Sequence, residues 1–382
     1  MKLLIVSSAP FIFQNQKCFA YGPYVKELSI WEKYTEEISF CCPVWKEQNG
    51  LLIEEFPFKI EKHFKLIDFN LKSILNVIRG FFCSLFNIVI IFKAMYQADH
   101  IHLRCPGNIG LLGCIVQIFF PNKRKSAKYA GNWEPKSKQP WTYNLQKWIL
   151  NNCFLTRNMT VLVYGEWENQ SKNIKSFFTA TYSETETEII QKNSFEKGIE
   201  FIFVGSLVSG KRPLYAVKLV QRLIEEGKKV VLNLYGEGIE RTILENYVKE
   251  NQLGDFVFLH GNQSKKTLKK AYQKSHFVIL ASKSEGWPKA IAEGMFWGCV
   301  PISTKVSCVP FMLDYGSRGV LLEMDLEEDI FHIKNIIKEV NTYKDTSKSA
   351  TQWSRKYTTE LFESDIQKII INHETYCKNE NI

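Results

Sequence analysis

A chain of 382 residues is too long for one compact core and suits two domains. Hydrophobic residues at 45% and aromatic residues at 14% exclude a disordered chain. The net charge of +9 is uneven: residues 1–190 hold 22 Lys and Arg against 16 Asp and Glu, and residues 191–382 hold 27 against 24. The excess in the first half points to an anionic partner, a membrane surface or a phosphorylated acceptor, and is too diffuse for nucleic acid.

The chain opens with a short apolar run over 1–8. It lacks the longer apolar core of a signal peptide and reads as a first strand. A loop over 9–21, a helix over 23–33 and a strand over 38–41 follow. Gly22, before Pro23, serves either a turn or a close backbone approach to a ligand.

From 56 to 96, Lys59, Lys62, Lys65, Lys72 and Arg79 interleave with Phe58, Phe64, Phe69, Leu71 and Ile74. The run over 81–92 that follows falls short of the roughly 20 residues of a membrane span and reads as a core helix. Its basic, aromatic lead-in suits either a solvated helix face or an anionic bilayer surface. His100 and His102 read as hydrogen-bonded histidines of a strand that ends near Arg104. The run Lys123, Arg124, Lys125 reads as solvated, ahead of a strand over 126–130.

A strand over 160–164 and a polar stretch without periodicity over 181–197 suggest the end of the first domain and a connection. Next come a strand over 201–205 and a loop with Gly205, Gly210, Lys211 and Arg212. The spacing imitates a phosphate-binding P-loop, but Arg212 stands where Ser or Thr must hold magnesium, which excludes that ATPase class. A helix over 214–226 and a strand over 230–235 lead to Gly236-Glu237-Gly238, glycines that permit close backbone approach. A strand over 256–259 precedes Gln263, and helices over 327–342 and 347–377 close the chain.

Ten cysteines show no Cys-x-x-Cys pair and no zinc spacing. Cys41, Cys42, Cys114 and Cys299 lie in apolar runs, as small buried hydrophobes do, which suggests a reducing, cytoplasmic setting and no metal site.

One stretch carries the most chemistry. The apolar strand over 276–281 runs into Ser284-Glu285-Gly286-Trp287-Pro288, then a helix over 289–297, then Gly298-Cys299-Val300-Pro301. This is a strand, loop, helix and strand, with Glu285 at a strand's carboxyl end and Glu293 on the helix behind it. Carboxylates there accept hydrogen bonds from sugar and ribose hydroxyls, and the helix N-terminus suits a phosphate.

From Glu285 to Ile302 the string resembles the nucleotide-binding signature of retaining, GT-B-type glycosyltransferases (glycosyl transferases group 1, Glu-x7-Glu motif). The glutamate spacing, the Gly294-Met295 pair and the Gly-Cys-Val-Pro turn agree together. The resemblance extends more weakly from 201 to the C-terminus and faintly over the first half.

It implies an α/β GT-B fold of two doubly wound Rossmann-like domains facing across a cleft. These are an acceptor-side domain over 1–190, a nucleotide-sugar-binding domain over 191–358, and a last helix over 359–382 crossing back. The implied activity is retaining, metal-independent hexosyl transfer from a UDP- or GDP-linked sugar to a glycan or lipid-linked acceptor, without a cofactor. The implied context is cell-surface polysaccharide biosynthesis; the basic first half and its aromatic lead-in, read by themselves, suit peripheral contact at the inner face of an anionic membrane.

Residue by residue, Glu285 holds donor-sugar hydroxyls at the reacting centre and Glu293 the ribose. Lys211 and Arg212 neutralise the diphosphate, Arg212 supplying the charge the family places at Ser206. Gly205, Gly236, Gly286, Trp287, Pro288 and the backbone near Gln263 complete the donor site. Arg104 stands where the family has a histidine; it cannot serve as a general base but can hold a phosphate or sugar oxygen. The rival readings are a nucleotide-sugar epimerase of the same architecture and a non-catalytic nucleotide-sugar-binding partner protein.

Overall fold

The computed structural model describes residues 1–371 apart from 49, 51, 71, 72 and 193. Leu71 and Lys72 of the basic lead-in, and 372–377 of the expected last helix, therefore lie outside the described residues. The chain divides into two units: Met1–Phe177 with the segment from Glu363 onward, and Phe178–Phe362. The border expected at 190 falls inside the second unit, because the connection packs there. Tyr182 stacks on Phe296 at 5.0 Å and Thr181 bonds Glu293.

The first unit runs β1 (Lys2–Val6), β2 (Phe11–Gln14), β3 (Lys17–Tyr21), α1 (Gly22–Glu32), β4 (Glu37–Trp45), β5 (Ile53–Glu55) and β6 (Lys62–Leu66). It continues with α2 (Ile74–Gln97), β7 (His100–Cys105), α3 (Asn108–Val116), β8 (Arg124–Tyr129), α4 (Trp141–Leu150), β9 (Met159–Tyr164) and β10 (Ile174–Phe177). Strands β10, β9, β8, β7, β1, β4 and β6 form a parallel sheet in that order. Helical crossovers cover parallel sheets on both faces, so β1 and β9 are apolar runs buried almost throughout. The order reverses between β1 and β7.

Three expectations for this unit are corrected. The loop over 9–21 is a hairpin, β2 and β3, joined by Asn15 and Gln16 with φ of +49° and +64°. Both turn residues are left-handed, as a tight type I′ connection requires.

The run over 81–92 is not a core helix. It belongs to the 24-residue α2, which starts one residue after Ser73, whose side chain accepts a bond from Asn76 N. Residues 75–97 are long and apolar enough to cross a membrane by length and composition, and only 22% of their most apolar 18-residue window is buried.

The basic run over 123–125 is not solvated either. Lys125 is fully buried on a central strand, its Nζ bonding Gln117 O at 3.2 Å and Gln117 Oε1 at 2.8 Å. Burial pushes its ammonium down from 10.5 to about 8. Between those values the unfolded chain holds the extra proton, so this lysine's contribution to stability grows as pH rises and is lost as pH falls. In urea titrations from about pH 7 to about pH 10, wild type is expected to gain about 2 kcal/mol relative to Lys125→Met. An unchanged difference would contradict that role.

The second unit runs β11 (Ile199–Val204), α5 (Pro213–Glu225), β12 (Val230–Tyr235), α6 (Arg241–Glu250), β13 (Val257–Leu259), α7 (Lys265–Lys274) and β14 (Phe277–Leu280). It continues with α8 (Lys289–Phe296), β15 (Val300–Thr304), α9 (Val309–Met312), β16 (Val320–Leu322), α10 (Leu326–Lys338) and α11 (Val340–Ser354), and α12 (Thr359–Ile371) starts within it. The expected two closing helices are three, α11 and α12 being separate.

Its six strands are all parallel, in the order β13, β12, β11, β14, β15, β16. This is the doubly wound order, with its reversal between β11 and β14. Pro213 opens α5 where a missing N–H costs nothing, and Asp325 caps α10 by accepting from the N–H groups of Glu327 and Glu328. Gly294 lets α8 press on β14: a Cβ there would lie 2.5 Å from Val278 Cγ1.

Candidate functional site

Where a doubly wound sheet reverses its order, the loops leaving the two central strands part to opposite faces and open a crevice at the carboxyl edge. In the second unit these are the loops after β11 and β14. Lys211 comes from the first and Glu285 from the second. They meet: Lys211 Nζ lies 2.5 Å from Glu285 Oε1, with side chains 30% and 8% exposed. A backbone bond from Lys283 N to Gly210 O, at 2.8 Å, ties the same two loops.

The neighbouring loops are laced to the first. Gly205 N donates to Tyr235 O, Leu207 N to Glu237 O and Gly236 N to Gly261 O, each at 2.9 Å. Gly236 has φ +141°, and a Cβ on it would lie 2.0 Å from Gly205 O. No other residue type allows the loops after β11 and β12 to run this close. Gln263, beyond β13, is exposed, and its Nε2 donates to His260 O at 2.8 Å.

Arg212 caps α5 with a left-handed backbone, φ +50° and ψ +51°. It is partly exposed, and its guanidinium has no hydrogen-bond or ion-pair partner among the described residues. Neither α5 nor α8 has a side chain bonded to its first turn. Helix N-termini in that condition keep free N–H groups and a positive dipole end for an anion.

Glu293, on the second turn of α8, accepts bonds from Thr181 Oγ1 at 2.8 Å and Tyr272 OH at 3.2 Å. Burial raises its carboxyl above the ordinary value, and those two bonds offset part of the effect. Each carboxylate oxygen has a further lone pair, so the group can still accept from a diol. Thr181 and Tyr272 were not among the residues singled out in the sequence; nothing marked them except proximity created by the fold.

Trp287 and Pro288 turn inward. Trp287 is 6% exposed, stacked on Trp353 at 6.0 Å and edge-on to Tyr357 at 5.4 Å. Its ring supports the loop from behind. Gly286 O accepts from Ser307 Oγ at 3.2 Å and Cys308 Sγ at 3.1 Å, which fixes the residue after Glu285.

In the first unit, Arg104 reaches the carboxyl edge of β7, beside the reversal point between β1 and β7. Its guanidinium pairs with Glu27 and lies 5.3 Å from the Tyr24 ring centre. Lys128, 1% exposed, holds the other Glu27 oxygen at 2.8 Å. Burial opposes charge on Glu27, yet Arg104 and Lys128 hold its carboxyl well below the usual range. Burial pushes Lys128 down to about 8, with Glu27 pulling the other way.

Two cations around one carboxylate leave a net positive charge. Sequence reasoning found Arg104 and missed both partners. The signal for Glu27 was its place among Tyr24, Leu28 and Trp31 on the buried side of α1. His100 and His102 are buried on the strand and each bonds Ser126 Oγ at 2.8 Å, through Nε2 and Nδ1 respectively; the expectation of full hydrogen bonding fails at His102, whose Nε2 has no partner among the described residues.

Residues 184–353, within the second unit, match the family model described as Glycosyl transferases group 1. An uncharacterized glycosyltransferase of Methanocaldococcus jannaschii is 25% identical over 202 residues, which are 52% of this chain and 54% of that protein. The chain thus spans about half the length of that curated relative.

Among solved structures, the apo form of the lipopolysaccharide outer core galactosyltransferase WaaB superposes with a TM-score of 0.68 at 16% identity, covering 97% of this chain and 99% of WaaB. Anabaena HepE in complex with UDP and glucose gives 0.65 at 14% identity, covering 97% of this chain and 100% of HepE. At such identities the likeness is one of fold. The chain has the GT-B fold of two Rossmann-like domains.

Proposed function

We propose that the chain is a retaining glycosyltransferase that binds a nucleotide-sugar at the carboxyl edge of its second unit and passes the sugar to a glycan or lipid-linked acceptor. The observation that carries the reading is the Lys211–Glu285 pair at the β11/β14 reversal. It sets a cation for the diphosphate beside a carboxylate for the sugar hydroxyls. The family match over this unit supports the reaction class, and the UDP and glucose held by HepE favour a UDP-linked hexose.

Departure of a nucleoside diphosphate builds negative charge as the anomeric bond breaks. In this reading Lys211, Arg212 and the open N-termini of α5 and α8 take up that charge in place of a divalent cation. Glu285 orients the sugar, Glu293 receives the ribose hydroxyls, and Gly205 and Gly236 let the backbone approach the phosphates. Gln263 and its backbone lie toward the base. Arg104, held by Glu27, contributes positive charge on the acceptor side. Cell-surface polysaccharide is the acceptor context we favour, at the inner face of the membrane.

A melting-temperature screen against UDP, GDP, ADP and their sugar conjugates tests the donor site, because a ligand that binds the native state raises the transition by mass action. UDP is expected to raise it, and Glu293→Ala to remove most of the rise. No response to any of these nucleotides would overturn the assignment.

A further inference from the structure

Helix α2 presents an apolar face that its own unit does not cover. Ile78, Phe82, Leu85, Val89, Phe92 and Tyr96 recur at helical spacing and are each between 42% and 72% exposed. Phe119, 69% exposed, adds to that stripe beside Phe92, with ring centres 6.4 Å apart. Contiguous exposed apolar surface of this length marks an interaction site.

The opposite side of α2 is fastened to the unit. Cys83, Asn87, Ile91, Ala94 and Met95 form a buried line. Asn87 exchanges both of its amide bonds with the backbone of Ile67, at 2.9 Å each. The helix is also the crossover between β6 and β7, and β7 is hydrogen-bonded to the central β1. Crossing a bilayer would take α2 out of this sheet, so the helix is built to lie on a surface.

Charge identifies the surface. The only charged residues on α2 are Arg79 and Lys93, both exposed. Lys123 sits at its C-terminal end, 5.8 Å from the Tyr96 ring centre and bonded to Tyr96 O at 2.6 Å, and Lys62 Nζ reaches Gln97 Oε1 at 3.2 Å. Asp99, the nearest acid beyond the helix, accepts a bond from Lys2 N at 2.8 Å.

A second copy related by a two-fold axis would bring this face against itself, with cations opposite cations and no acid on the helix to pair them. An apolar stripe on a helix whose own charges are both cationic matches an anionic lipid surface, and Asp99 beside Lys123 offsets only the C-terminal end.

We propose that α2 docks the first unit on an anionic bilayer, lying in the interface with Phe82 and Val89 among the acyl chains and Arg79 and Lys93 at the headgroups. This inference stands independently of the chemistry assigned to the second unit.

Vesicle flotation tests it, with phosphatidylcholine alone and with equal parts phosphatidylcholine and phosphatidylglycerol. The protein is expected to float with the mixed vesicles. Phe82→Glu/Val89→Glu should weaken that binding at least about tenfold, and each of Arg79→Gln and Lys93→Gln about fivefold. Because these positions are exposed, circular dichroism and the melting temperature serve as folding controls. Absence of flotation by wild type, or undiminished flotation of Phe82→Glu/Val89→Glu, would overturn the proposal. So would a wild-type dimer that Phe82→Glu dissociates, which would assign the face to a second copy.

Discussion

Lys211→Ala is expected to lower turnover on the donor identified by the melting screen by about a hundredfold to a thousandfold, the range seen when one preorganised charge partner of a transition state is removed. The effect has two sources. Lys211 is the cation proposed for the leaving group, and it also neutralises Glu285, whose side chain is only 8% exposed. Taking the ammonium away leaves a nearly buried carboxylate without its partner, which is costly in itself. The variant should therefore melt below wild type.

Adding Glu285→Gln should recover melting temperature without recovering turnover. Glu285→Gln alone should lower kcat with little change in KM, as expected for a group whose interaction strengthens in the transition state. Steady-state kinetics and melting curves on the three variants separate these effects. Wild-type turnover in Lys211→Ala/Glu285→Gln would move the reaction to another site.

Gly236→Ala is expected to have the largest effect on the fold. Its φ of +141° is closed to residues with a Cβ, and the added carbon would lie 2.0 Å from Gly205 O. The blocking atom is backbone, so the strand-end loops must separate, breaking the bonds from Gly205 N to Tyr235 O and from Gly236 N to Gly261 O. Strain and lost hydrogen bonds together should cost about 3 kcal/mol or more. For a unit of this size that corresponds to a fall of roughly 10 °C in Tm. Nucleotide binding should fall with it. Gly254→Ala is the control, since a Cβ there meets nothing within 4 Å. A Gly236→Ala protein that melts with wild type would contradict the close approach of the two loops.

The second unit was legible because its strands are buried on both faces and read as unbroken apolar runs. Val230–Tyr235 lies where it was expected, and β14 and α8 differ from expectation by single residues at their ends. The meeting of Lys211 with Glu285 was not legible as a distance, since 74 residues separate them and only the β11–β14 pairing brings them together. Trp287 looked like part of the site because it sits inside the motif. Its ring is instead drawn into the aromatic packing of Trp353 and Tyr357, residues that a local pattern cannot connect to it.

The first unit was less legible for identifiable reasons. The turn between β2 and β3 uses Asn15-Gln16 in left-handed conformations, where Asn-Gly would have announced a hairpin. Lys125 and Lys128 resemble surface residues, and only their place on β8, between β7 and β9, shows them to be internal. Helix α2 carries apolar residues on its buried and on its exposed side, with only Arg79 and Lys93 charged, a pattern that fits a covered core helix and an uncovered interface helix equally well. Exposure decides between them, and exposure is a property of the fold.

In the proposed reaction Lys211 meets the diphosphate of the donor. The most direct measurement is calorimetric titration of the responding nucleoside's diphosphate and monophosphate into wild type and Lys211→Ala. Lys211→Ala is expected to weaken the diphosphate by about thirtyfold, close to the value of one charge-assisted contact, while the monophosphate changes little. Equal losses for both nucleotides, or no loss for either, would contradict it.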